Sequence, residues 1–460
     1  MSPFPAEARA IPAVPSPVDA GSGSNAPRLF SMGRGLLLAT LIAAPLPYAS
    51  VQTWAWTSLA LLAVLLLLVW GVACVQQGAV KIFWSPLYLP AGLFLLWAAI
   101  QFFGHLSVDY IGTREAVVKL GTDCIFFFLA GQFWAMRSEE TWSALGLTVT
   151  IYAFLISFLA IVQFFSGPVY NYLNYWSVNS LWGAFGPYVN RDHYAGLMEM
   201  LIPLSAAYVL SRPEGYPQRN LLGFAVLLPI ATLLLTGSRG GFISLLVEVI
   251  IMGTVLFRVS MVSGRRSLLA IGALGITAAA ILFFWIDPGQ MSKRLEKIFD
   301  LKNTSDASYG HREATALDTL RMFRDHPLIG TGVGTFATAF PQYQSVPGDA
   351  TWEHAHNDYA EGLAETGMIG GVLILCALLI FLRWAYRNLG AGPRNVAAWM
   401  QLGATLGVLG IVIHSLFDFN LRIPANAAWF AVCAGTGSSL ITSSRPVKQS
   451  RRHNHKTLTV

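Results

Sequence analysis

Charge is scarce in this chain. Only 12% of its 460 residues are Asp, Glu, Lys or Arg, while 54% are hydrophobic. Soluble domains carry about 25% charged residues. With a mean hydropathy of +0.54, that shortage excludes an ordinary water-soluble domain. In hydrocarbon, every backbone N–H and C=O must be satisfied within its own segment, which points to an all-α bundle of membrane-spanning helices. Cysteine is equally sparse. Cys74, Cys124, Cys376 and Cys433 lie far apart inside apolar stretches, so neither a disulfide framework nor a zinc site is indicated. Three motifs are missing. Without Asp-x-Asp, metal-dependent transfer from a sugar nucleotide is disfavoured. Without Gly-x4-Gly-Lys-Ser/Thr, ATP-driven transport is disfavoured. Without Gly-x-Ser-x-Gly, the usual hydrolase elbow is gone. The net charge of +6 gathers into no compact stripe. It reads as loop arginines facing an anionic leaflet, with no surface for nucleic acid.

What the chain has in abundance is apolar stretches long enough to span a bilayer. They fall near 34–50, 54–75, 84–104, 116–136, 142–165, 193–211, 220–237, 239–257, 268–286, 366–386, 396–417 and 424–443. That gives about twelve spans. Pro45 and Pro47 are placed to kink the first. Residues 1–32, rich in Pro, Ala, Ser and Gly, read as a disordered cytoplasmic tail. Residues 445–460 read as a basic cytoplasmic tail, leaving 33–444 as the transmembrane catalytic domain.

An even count puts both termini on one side. With that side cytoplasmic, the short inner loops collect Lys81, Arg137, Arg212, Arg219, Arg258, Arg265, Arg266, Arg383, Arg387 and Arg394, as the positive-inside rule requires. One long polar loop, 288–365, with short helices of its own, then faces the periplasm. Arg191, Arg239, Arg312, Arg321 and Arg324 also face outward, against the rule. A long loop tolerates Arg321 and Arg324, but Arg191 and Arg239 each open a span.

Four outward segments carry candidate chemistry: Asn190-Arg191-Asp192-His193, Thr236-Gly237-Ser238-Arg239-Gly240-Gly241, the stretch from His311-Arg312-Glu313 to Gly332, and His354-Ala355-His356-Asn357-Asp358-Tyr359 with Glu361 and Glu365. Glycines around Arg239 allow close backbone approach to a ligand. A helix starting there favours an anion, and a guanidinium fork matches phosphate oxygens. The plainer alternative is a turn whose arginine snorkels into headgroups. After Arg312, the apolar spacing of Ala314, Leu317, Leu320 and Phe323 predicts a helix on the membrane surface, stopped at His326-Pro327. The histidines are the candidate bases, because imidazole titrates near neutral pH. Asp358, Glu361 or Glu365 could orient one of them. The alternatives are an inert surface histidine, or metal ligation, for which no clear third ligand is spaced.

These segments, with His326-Pro327-Leu328-Ile329-Gly330-Thr331-Gly332-Val333-Gly334 and Glu365-Thr366-Gly367-Met368-Ile369-Gly370, resemble the O-antigen ligase and polymerase family of bacterial envelope glycosyltransferases over roughly residues 185–430. The resemblance implies transfer of a glycan from undecaprenyl diphosphate, at the periplasmic face of the inner membrane. No metal or other cofactor is implied. The acceptor is lipid A–core in ligases, a growing glycan in polymerases and a protein in a third branch; O-antigen ligation is the first expectation here. It makes His356 the catalytic base and assigns Arg239, Arg312 and Arg191 to the donor diphosphate. His354, Asn357, Asp358 and Glu365 are expected to support the site, and anomeric inversion is expected.

A rival of another class is a small-solute, bicarbonate-like transporter. It would use charges placed within spans: Glu199, Glu248 and the Lys119/Asp123 pair.

Overall fold

The computed structural model describes residues 25–438, apart from 136, 167–184, 214, 264–306 and 346–351. The expected span at 268–286, the start of the long loop and the C-terminal tail lie outside the described residues. Thirteen α-helices are described: α1 (Ala26–Ala43), α2 (Thr53–Gln77), α3 (Tyr88–Phe103), α4 (Tyr110–Trp134), α5 (Glu139–Ser166), α6 (Arg191–Ser211), α7 (Arg219–Thr236), α8 (Arg239–Ser263), α9 (Ala307–Asp325), α10 (Phe336–Ala339), α11 (Asp358–Ala391), α12 (Val396–His414) and α13 (Pro424–Gly437). Eight of them are long and apolar enough to cross a membrane: α2, α4 to α8, α11 and α12. The other described helices at expected span positions, α1, α3 and α13, are shorter or less apolar, so the count of twelve is not reproduced among the described residues.

The helix limits follow local chemistry. Side-chain oxygens of Asp109, Asn190, Asn357 and Asn395 accept backbone N–H groups at the starts of α4, α6, α11 and α12, which satisfies donors that have no partner inside the helix. The turn between α7 and α8 is the expected hairpin, and Gly237 takes φ 66° there, a left-handed cap that costs glycine little. His326-Pro327 does stop α9, at Asp325. Three expectations shift. Pro45 and Pro47 follow the end of α1 and so terminate it, with no kink inside it. α1 starts at Ala26, within the stretch expected to be tail. α11 starts at Asp358, well before the expected 366, because Asn357 caps it and it continues across a break at Gly367.

α6 and α12 form the centre of the bundle, with 83% and 78% of their spans buried, whereas α11 buries only 17% and faces outward. Glycines bring the central pair together. A Cβ at Gly403 would lie 2.7 Å from the Pro203 carbonyl, and one at Gly407 would lie 2.9 Å from Met200 Cα. Small residues four apart permit this approach inside a membrane.

One end of the bundle gathers the starts of α6, α8, α11 and α13, the end of α12, and the α9–α10 segment. Arg312 of α9 bonds Asp192 of α6. Residues 331 and 332 hydrogen-bond along the broken part of α11: Thr331 N–H to the Ala364 carbonyl at 3.1 Å and Gly332 N–H to the Glu365 carbonyl at 2.9 Å. These bonds tie the loop over the end of α11.

Candidate active site at one end of the bundle

His356 sits in the last residues before α11, at φ 53°. Histidine is among the residue types that tolerate this left-handed region, though it is uncommon. Such a conformation costs on the order of 1 kcal/mol and persists only where its surroundings hold it. Two contacts do so. Asn357 caps α11 through Tyr359 and Ala360 N–H at 3.1 and 2.9 Å, and its amide donates to the Leu416 carbonyl at 3.1 Å. His356 Nδ1 lies 2.9 Å from Asp418 Oδ1.

Asp418 is the residue that sequence reasoning missed. Asp358, Glu361 and Glu365 were the expected partners for a catalytic histidine, and none of them holds His356. Asp358 Oδ2 accepts the Ser415 hydroxyl at 2.8 Å. Glu361 pairs with His354 at 2.9 Å and Arg422 at 3.2 Å. Glu365 accepts Phe336 N–H at 3.0 Å and pairs with Arg422 at 2.7 Å. Neighbours in sequence on α11 turn toward the α12–α13 connection, while Asp418, 62 residues away, reaches the imidazole. A signal was present: His414-Ser415-Leu416-Phe417-Asp418-Phe419-Asn420-Leu421-Arg422 packs four ionisable or amide side chains into nine residues where α12 ends.

Asp418 is fully buried. Burial pushes its carboxyl up, but the His356 hydrogen bond and the charges of His193 and Arg312 outweigh this and hold it well below the usual carboxylate range. It therefore stays anionic. His193 Nε2 lies 3.9 Å from Asp418 Oδ1, too far for a hydrogen bond. Next to His193, Asp192 accepts Arg312 Nη2 at 3.1 Å. His356, Asp418 and Arg312 thus belong to one cluster drawn from α9, the residues before α11, and the α12–α13 connection, with Asp192 and His193 of α6.

The ring of Phe419 divides this cluster from a second one. His193 and His356 meet it edge-on, at centroid distances of 4.6 and 4.8 Å, while His354 stacks on it at 4.3 Å. The expected supporting residue His354 therefore stands behind the aromatic wall. Burial pushes its pKa down, but the charge and hydrogen bond of Glu361 prevail, and it is raised. His354, Asp358 and Arg422 line a cavity of about 400 Å³ together with Glu115, Lys119 and Asp123 of α4. An apolar cavity of about 340 Å³ adjoins it between α3, α4 and α11 to α13, with Tyr359, Leu421 and Ala427 lining both. Lys119 pairs with Glu115 at 3.8 Å, so its closest carboxylate is one turn before it, where Asp123 was expected.

The remaining predicted cations sit at the same end. Arg191 is exposed as the first residue of α6, next to Asp192. Arg239 is half-buried as the first residue of α8, beside the contact of Gly240 with His414. Mid-span Glu248 is buried, and neither of its carboxylate oxygens hydrogen-bonds among the described residues. Among the described residues no three His, Cys, Asp or Glu side chains are placed to hold a metal ion.

Residues 224–375 match the family described as O-antigen ligase. No curated protein matches the chain. The family segment includes Arg239, Arg312 and His356, and it ends before Asp418 and Arg422. Asp418, the partner of His356, therefore lies beyond the matched residues, and the packing of α12 and its following turn brings it in.

Proposed function

We propose that the protein is an inner-membrane glycosyltransferase of the O-antigen ligase type. Its donor is a glycan on undecaprenyl diphosphate, and its acceptor on the periplasmic face is lipid A–core. The observation that carries this reading is the His356–Asp418 pair at 2.9 Å, with Arg312 in the same cluster, in a chain whose segment 224–375 matches the O-antigen ligase family.

The chemistry follows from that pair. An anionic Asp418 accepts the Nδ1 proton of His356 and leaves Nε2 with its lone pair, ready to take a proton. The acceptor hydroxyl oxygen bonds to the anomeric carbon as the bond from that carbon to the diphosphate oxygen breaks. The bonding pair leaves with the diphosphate, and the hydroxyl proton goes to His356. Attack opposite the leaving group inverts the anomeric centre. Charge grows on the diphosphate as it departs, so Arg312, Arg239 and Arg191 stabilise the transition state more than the bound donor. A diphosphate leaves as a stable anion, so this scheme requires no separate acid or metal. The two adjoining cavities offer a path for a lipid chain from the polar end into the apolar bundle.

Transfer by purified protein in detergent, from lipid-linked glycan to defined acceptors, tests the proposal. Turnover without a sealed compartment removes a pure transporter, the reading that buried Glu248 would otherwise favour. His356→Ala is expected to abolish transfer with normal expression, and Arg239→Lys to impair it, because lysine lacks the bidentate fork. Near-normal activity in both would overturn the mechanism. In a deletion strain, lipid-linked polymer that accumulates without reaching lipid A–core identifies a ligase, whereas a single-repeat cap identifies a polymerase.

A further inference from the structure

The glycines that follow Arg239 rest on a buried ion pair. A Cβ at Gly240 would lie 2.4 Å from His414 Cδ2 and 2.7 Å from its Nε2. One at Gly241 would lie 2.9 Å from the Ala195 methyl and 3.3 Å from Glu199 Oε1. His414 Nδ1 is 2.6 Å from that same glutamate oxygen, and neither side chain is more than 1% exposed. The start of α8 therefore lies directly on an imidazole edge and a carboxylate supplied by α12 and α6. Both residues fall outside the family segment 224–375.

Glycine lets the turn come this close but gives it no stiffness of its own. A guanidinium fork is selective only when its backbone is held to within about 0.5 Å. The stiffness available at this turn comes from the surface beneath it. A charge-assisted bond between two buried side chains is strong, and neither partner can leave without stranding the other. The Ser238 hydroxyl also caps the turn at Gly241 N–H, at 3.3 Å, which fixes its start but not its distance from the base cluster.

We infer that His414 and Glu199 are positioning residues for donor binding: the pair fixes the Arg239 turn so that its guanidinium meets the diphosphate. The inference rests on the assignment of Arg239 to the donor diphosphate. Neither residue touches the reacting atoms in this scheme.

The test uses the full-length protein in detergent, with lipid-linked glycan as donor and inorganic pyrophosphate as competitor. Glu199→Gln and His414→Gln are expected to raise the donor KM, and to weaken pyrophosphate inhibition, by roughly 10- to 100-fold, the scale that small misplacements cost. The acceptor KM should stay within about threefold, because the inferred role is confined to the donor diphosphate. Gly240→Ala should reproduce the donor effect in the wild-type background. In a His414→Ala background it should add nothing, since removing the ring leaves room for the new methyl group. A donor KM unchanged in both ion-pair variants, with Arg239→Lys impaired, would overturn the positioning role and leave the diphosphate assignment standing. An unaffected Arg239→Lys would overturn that assignment itself. If the ion-pair variants do not fold, Gly240→Ala in the wild-type background decides: a normal donor KM overturns the inference.

Discussion

Asp418→Asn is the sharpest probe of the proposed chemistry. The substitution keeps shape and volume, so packing around Phe419 and the α12–α13 connection should survive. What changes is the hydrogen bond at 2.9 Å to His356 Nδ1. An amide that turns its NH2 toward the ring makes Nδ1 the acceptor and moves the ring proton to Nε2, the nitrogen that must take the hydroxyl proton. An amide that turns its oxygen there keeps the tautomer but loses the negative charge that stabilises the imidazolium formed during transfer. Positioned general bases contribute about 10²–10⁴-fold. Loss of most of that corresponds to roughly 3–5 kcal/mol of barrier, at 1.36 kcal/mol per decade. The assay is kcat/KM for glycan transfer in detergent, with the thermal midpoint as a folding control. Groups that act as one unit are not additive when removed. His356→Ala combined with Asp418→Asn should therefore be no slower than His356→Ala alone. A single Asp418→Asn variant within about threefold of wild type, against the expected 10²–10⁴, would refute the assignment of His356 as a base oriented by Asp418. So would full additivity in the double variant.

Further outcomes follow from the same geometry. Arg312→Lys keeps the charge near Asp192 but loses the fork, so the donor KM should rise about tenfold, measured by donor titration at saturating acceptor. Arg422→Ala leaves buried Glu365 without its cation and Glu361 with His354 alone, and should lower stability by about 3–5 kcal/mol, read by detergent-compatible thermal unfolding. His354→Gln tests the pH linkage. The folded pKa of His354 is raised by Glu361, so the pair's contribution is fully present below the unfolded histidine value of about 6.5 and is lost as pH rises through the folded pKa. The gap in thermal midpoint between wild type and His354→Gln should be widest near the acid end and narrow toward alkaline pH. A gap that widens toward alkaline pH would show that Glu361 does not favour the imidazolium.

The expectations that rested on one stretch of chain held well. Scarce charge and long apolar runs gave a helical membrane protein. Gly237 gave the α7–α8 hairpin, and His326-Pro327 gave the end of α9. Each depends on residues within a turn or two of one another, where propensity and capping act. The count of spans fared worse, because hydropathy alone does not separate α3, a 16-residue helix, or α13, with 14 residues, from longer membrane-crossing segments. Pairing fared worst. Asp358, Glu361 and Glu365 were reasonable partners for His356 by proximity in sequence, yet each turns to another group.

Local composition determined that this chain is a helical membrane protein with a polar, histidine- and arginine-bearing end, and its motif order pointed to the O-antigen ligase family. Tertiary structure alone decided that Asp418 holds His356, that Phe419 separates His354 from it, and that His414 and Glu199 lie beneath the Arg239 turn. The physical reason is that apolar content and capping add up residue by residue along the chain. Partner choice depends instead on which helix faces meet, and here that was set by the close approach of α12 to α6 across Gly403 and Gly407.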